Sequence, residues 1–252
     1  MKIYTFYPSW NLTALVDYKP KDNEDKDIIE QEIFSQNPNI EQVWFIYQED
    51  SVYKLEMAHN ELCVNAIFSY LCYLDIHEHI VHVEIYLVWP DYGILGKKTH
   101  IQWEYILEFP AIREYQIVKI DNATLVELPG ITHIFFEGSG ECFDSFLEKT
   151  IPKLDKTINR VTWINTVWAN SQLIPYIYYQ RTGKIVHETS CSSGSIALVA
   201  RDIFSTRMAW SWISKVLQVS GDVLEIETNF SDKTLHCCIK NRVKKEKDLE
   251  IS

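Results

Sequence analysis

Glu61-Leu62-Cys63-Val64-Asn65-Ala66 and Glu188-Thr189-Ser190-Cys191-Ser192-Ser193-Gly194 are the two stretches on which the fold turns. In each, a short polar run with an acidic residue leads into a cysteine. Small or polar residues follow, and then a stretch with helical spacing. The first helix is expected over Val64–Leu74, with Ile67, Phe68, Leu71 and Leu74 on one stripe. The second is expected over Ser193–Phe204, with Ile196, Ala197, Val199 and Ala200 together. A thiol at a helix N-terminus meets unpaired N–H groups and the positive end of the helix dipole, which stabilise its anion. The two cysteines stand 128 positions apart, close to half of the 252-residue chain. One such thiol per half predicts two comparable α+β halves and a chemistry that uses both.

Outward from these helices the chain is dominated by strand-like runs rich in Val, Ile, Tyr, Phe and Trp. In the first half they are Lys2–Tyr7, Leu12–Asp17, Gln42–Tyr47, Val81–Val88, Ile101–Phe109 and Gln116–Ile120. Thr124–Leu128, Thr132–Phe136, Val161–Val167, Tyr176–Tyr179, Lys184–His187, Val223–Glu227 and Thr234–Ile239 follow in the second. Two further helices are expected, over Ile28–Ser35 and Glu141–Lys149. The charged stretch Lys19–Asp27 reads as an exposed loop, and Lys240–Lys247 as a solvated basic end. A boundary near residues 110–122 gives halves of 1–115 and 116–252, with the C-terminal segment free to return to the first.

With 46% hydrophobic residues the chain can bury a sizeable core in one large domain or two similar ones. Its net charge of -11 argues against nucleic acid or an anionic membrane surface as a partner. No apolar run approaches the roughly 20 residues of a membrane span. The N-terminus, Met1-Lys2-Ile3-Tyr4-Thr5-Phe6, alternates like a strand and lacks a secretory apolar segment, so a cytoplasmic protein is expected.

In that setting the six cysteines, Cys63, Cys72, Cys142, Cys191, Cys237 and Cys238, are expected as reduced thiols. Cys72 reads as core, Cys237 and Cys238 as neighbours on opposite faces of a strand, and Cys142 as the start of a helical run. His77, His79 and His82 form a His-x-His-x-x-His cluster, read as a solvated strand end. No metal site and no cofactor are expected. The aromatic run of Trp163, Trp168, Tyr176, Tyr178 and Tyr179 reads as core and interface.

Two helix starts facing each other could hold a substrate carboxylate between them, with a thiolate on one face of the α-carbon and a thiol on the other. One removes a proton, and the other returns one from the opposite side. On residue logic alone, a pair of inert buried thiols remains equally open.

Asn60-Glu61-Leu62-Cys63-Val64-Asn65-Ala66, continued by Phe68-Ser69-Tyr70, resembles the first active-site motif of the diaminopimelate epimerase superfamily, normally Cys-Gly-Asn. Tyr176-Ile177-Tyr178 through Glu188-Thr189-Ser190-Cys191-Ser192-Ser193-Gly194-Ser195 resembles the second, normally Glu-x-x-Cys-Gly-Ser-Gly. Within the superfamily, the histidine racemases of staphylopine-type metallophore pathways are the nearest likeness. Tyr7-Pro8-Ser9-Trp10-Asn11-Leu12-Thr13, Glu41-Gln42-Val43-Trp44-Phe45-Ile46 and Gln218-Val219-Ser220-Gly221-Asp222-Val223-Leu224 carry it through nearly the whole chain.

The resemblance implies two pseudo-symmetric halves, each a barrel-like sheet around a central helix, with the active site in the cleft between them. It also implies a cofactor-independent amino-acid racemase or epimerase and a homodimer. By motif position Cys63 and Cys191 are the acid/base pair. Asn65, Ser192 and Ser193 would donate to the substrate carboxylate, and Val64 sits beside it. Asn11, Gln42 and Glu188 fall where the family places substrate-contacting polar residues, with Glu188 facing the α-ammonium.

Val64 and Ser192 replace the motif glycines, and His59 and Ile131-Thr132-His133 also depart from the pattern. Glycine lets substrate approach the backbone, and the β-branched Val64 narrows that approach. Diaminopimelate itself is therefore not the expected substrate. A non-catalytic binding protein of the same fold, or an isomerase of another small acid, are the alternatives.

Overall fold

The computed structural model describes residues 1–9, 11–57, 62–88, 91–120, 123–129, 131–136, 160–167, 172–179, 184–206, 211–246 and 249–250. The first half contains β1 (Lys2–Pro8), β2 (Thr13–Asp17), α1 (Asn23–Gln36), β3 (Gln42–Glu49), β4 (Val52–Met57), α2 (Val64–Tyr73), β5 (His82–Leu87), β6 (Tyr92–Lys98) and β7 (Glu104–Arg113). The second contains β8 (Ile117–Ile120), β9 (Ala123–Leu128), β10 (Ile131–Phe136), β11 (Arg160–Val167), β12 (Gln172–Tyr179), β13 (Lys184–His187), α3 (Ser192–Thr206), β14 (Trp212–Gln218), β15 (Val223–Ser231), β16 (Thr234–Lys245) and β17 (Leu249–Glu250). The helix expected over Glu141–Lys149, with Cys142, lies outside the described residues.

Strand pairing closes two rings. The first runs β1-β2-β3-β4-β5-β6-β7-β16 and back to β1. The second runs β9-β10-β11-β12-β14-β15-β16-β7 and returns to β9 through β8, which continues β7 beyond a short 3-10 turn. The order of parallel and antiparallel pairings repeats. The β2–β3 and β10–β11 pairs are parallel, as are β4–β5 and β12–β14. This is the α+β fold of two barrel-like halves, each around a central helix, that the resemblance implies. Closure leaves few free sheet edges, and β7 and β16 belong to both rings.

Each barrel is filled by its helix. All ten residues of α2 are buried, so Ile67, Phe68, Leu71 and Cys72 find apolar partners in every direction. A helix that is apolar all round belongs in a core. α3 is buried along most of its length, though Asp202 reaches solvent. α1 lies outside instead: Ile29 and Ile33 cover Ile3, Val16, Val43 and Phe45 on the outer face of β1–β3.

Several local expectations are corrected. The segment Lys19–Asp27 is not all loop, because α1 begins at Asn23, where the Asp22 side chain accepts from the Asp25 N–H at 2.9 Å. Lys240–Lys245 is not a solvated end. It continues β16, with Asn241 and Val243 buried and Arg242 and Lys244 exposed in strand alternation. His77 and His79 are not on a strand. They lie in a π turn, Leu74–Glu78, and at its left-handed cap, where His79 has φ 56°. The His77 ring packs 4.8 Å from those of Tyr4 and Tyr73. Among the described residues no helix is long and apolar enough to cross a membrane.

Candidate active site

The two barrels bring the starts of α2 and α3 together. Asn65 in the first turn of α2 accepts from the Ser192 hydroxyl at 2.5 Å, and its Nδ2 donates to the Ser190 carbonyl at 3.5 Å. These bonds join the helix starts across 127 and 125 positions of chain. Gln42, Leu62, Cys63, Val64, Asn65, Glu188, Cys191, Ser192 and Ser193 line one cavity between them. All the residues singled out from the sequence except Asn11 therefore meet there. Asn11 is fully buried nearby, donating to the Glu41 carboxylate at 2.8 Å. The cavity measures only about 10 Å³, room for about one water. Two larger cavities of about 610 Å³ hold neither cysteine, so chemistry rather than size picks out the small one.

Cys63 is itself the N-cap of α2, with extended backbone and no side-chain cap bond. Its thiol donates to Gln42 Oε1 at 2.6 Å. Gln42 Nε2 in turn donates to Glu188 Oε1 at 3.4 Å. A chain of bonds thus runs from the first thiol to a carboxylate of the other half.

Cys191 precedes α3 and is held differently. Its sulfur accepts the Gly194 backbone N–H at 3.4 Å, a capping geometry with sulfur in place of oxygen. The Ser193 hydroxyl lies 3.5 Å away. Gln218, fully buried on β14, pins the backbone. Its Oε1 accepts the Cys191 N–H at 3.0 Å, and its Nε2 donates to Ser195 Oγ at 2.9 Å. Ser195 Oγ then donates to the Cys191 carbonyl at 2.9 Å.

Glu41 completes the surroundings. It accepts from Asn11 and, at 3.3 Å, from the Thr189 hydroxyl. Burial, and then the charge of nearby Glu188, push its carboxyl up to about 7, against the pull of the Thr189 bond. Sequence reasoning did not assign roles to Glu41, Thr189, Ser195 or Gln218. The available signals were the consecutive Glu41-Gln42 at a strand start and the Gln218 hairpin. Cys72 and Cys237 lie apart in the core, where burial pushes each thiol up to about 12. Among the described residues no group of three or more His, Cys, Asp and Glu side chains converges as a metal site would.

No protein-family model and no curated protein match the chain. Solved structures do. A probable proline racemase from Agrobacterium radiobacter K84 with bound carbonate superposes with a TM-score of 0.68 at 9% identity, covering 100% of this chain and 92% of that one. A phenazine biosynthesis protein of the PhzF family from Bacillus anthracis gives 0.67 at 8% identity, covering 100% and 99%. A hydroxyproline epimerase from Agrobacterium vitis with bound trans-4-hydroxy-L-proline gives 0.61 at 10% identity, covering 99% and 91%. The chain has the fold shared by these proteins, the one named for diaminopimelate epimerase.

Proposed function

We propose that this chain is a cofactor-independent amino-acid racemase or epimerase that works with Cys63 and Cys191. The observation that carries the reading is that two helix-start thiols from separate barrels line one cavity together with Glu188 and Gln42. In the reaction, the substrate carboxylate binds the first-turn N–H groups of α2 and α3, whose positive dipole ends also stabilise the carbanion-like transition state. Glu188 faces the α-ammonium. One thiolate takes the α-proton and the opposing thiol returns a proton to the other face. The racemase and epimerase named among the similar structures support the class. A cavity of about 10 Å³ does not hold an amino acid, so substrate enters by separation of the two helix starts.

Histidine is the substrate we favour. Glu188 is buried and Glu41 half-buried beside the cavity, and a ligand with a second cationic group would relieve their repulsion. The motif resemblance supports the same choice, together with a metallophore pathway, a cytoplasmic setting and a homodimer. The test is incubation with single L-amino acids in deuterated water, followed by mass spectrometry and chiral chromatography. L-Histidine is expected to take up one α-deuterium and to yield the D-form. Absence of exchange with every common amino acid would sink the racemase reading. Ligand-induced thermal stabilisation without exchange would favour the binding protein that Val64, crowding the helix start, also fits.

A further inference from the structure

We infer that Gln42 is a positioning residue that holds the proton on Cys63, making Cys63 the acid and Cys191 the base in the resting protein. The inference rests on bond polarity. A carbonyl oxygen only accepts, so the contact from Cys63 Sγ to Gln42 Oε1 at 2.6 Å requires the sulfur to carry its proton. The amide is kept in this orientation from its other end, where Nε2 donates to the Glu188 carboxylate at 3.4 Å. Turning the amide over would set its oxygen against that carboxylate.

Cys191 has the opposite polarity. A backbone N–H only donates, so the contact from Gly194 N–H to Cys191 Sγ favours the thiolate. The Ser193 hydroxyl can donate as well. Among the described residues the titratable groups lining the cavity with Cys63 are Cys191 and Glu188, and Glu41 lies beside Glu188.

The catalytic consequence rests on the racemase reading. The resting protein is then competent for one enantiomer only. Cys191 S⁻ takes the α-proton and becomes a thiol, while the Cys63 S–H bond breaks as its proton goes to the other face of the α-carbon. Cys63 is left a thiolate. Gln42 then rotates to offer it Nε2 and releases Glu188. Serving the other enantiomer requires this inverted form.

Alkylation tests the inference without substrate. The full chain is treated with iodoacetamide between pH 6 and 10, and each cysteine is followed by peptide mass spectrometry. Both cysteines line the same cavity, and each rate is followed against pH so that its midpoint reads ionisation separately from access. Cys191 is expected to react at least tenfold faster than Cys63 at pH 7. Gln42→Ala removes the acceptor and should lower the Cys63 midpoint, bringing the ratio to within about threefold. Gln42→Glu, nearly isosteric, keeps an acceptor against Cys63, so it should raise the Cys63 midpoint more than that of Cys191. Equal rates in the wild type, faster reaction at Cys63, or variants that shift both thiols equally or neither would overturn the inference. Intact asymmetry with no isotope exchange would sink only the racemase reading.

Discussion

The two helix starts occupy equivalent places in the two barrels, yet they are held by different means. Cys63 is restrained through its sulfur by a side chain from β3. Cys191 is restrained through its backbone by Gln218, and its sulfur is left to accept from its own helix. The residues after them differ too, Val64 on one side and Ser192 on the other. The difference teaches that a repeated fold does not impose repeated chemistry. The barrels deliver two thiols to one place, and their neighbours decide which one holds a proton.

The largest effect that could break this comparison is on turnover. Cys63→Ser and Cys191→Ser should each reduce racemisation by about a thousandfold, the scale of a lost acid or base. They should differ in isotope exchange. Cys63→Ser retains the base and should still wash out the α-proton of one enantiomer, whereas Cys191→Ser should not. Identical exchange behaviour in the two variants would erase the distinction.

Next in size is the contrast between the helices. Leu71 is fully enclosed in the first barrel, while Leu198 on α3 is only partly covered. Leu71→Ala should cost about 3 kcal/mol and Leu198→Ala about 1 kcal/mol in urea denaturation. Equal costs would show that the second barrel encloses its helix as tightly as the first.

A third effect concerns Glu41, whose carboxyl is raised to about 7 in the fold. The folded state holds this proton more tightly than the unfolded chain. The stabilisation is therefore complete below the ordinary carboxylate value and is lost as pH rises through about 7, by about 3 kcal/mol. Glu41→Gln should flatten that part of the profile, and an unchanged slope would show that Glu41 is not its source.

Much of this architecture was legible in the chain. The β-branched runs mark most strands, and the helix-start cysteines mark where the barrels meet. What escaped has physical causes. β4 follows a two-residue turn, Asp50-Ser51, with φ of 51° and 64° but no glycine to announce it. β6 carries two glycines that read as loop. A Cβ at Gly96 would stand 2.5 Å from the Leu71 side chain, so that glycine marks the close approach of strand and helix. The basic residues of β16 read as a tail because their buried partners alternate with charge. In the site, the cysteines announce themselves locally. The Gln42–Glu188 bond spans 146 positions, and that separation hides it from a linear reading.

The sharing of β16 by both rings has a consequence for how the chain reaches its native state. Ser9 bonds to Asn241 across 232 positions, and β1 completes its pairing only with β16 and β17. During synthesis, α2 emerges long before the strand that seals its barrel. Neither ring can close until residues 234–245 have left the ribosome. The first half must wait with an apolar interior exposed, a state prone to aggregation.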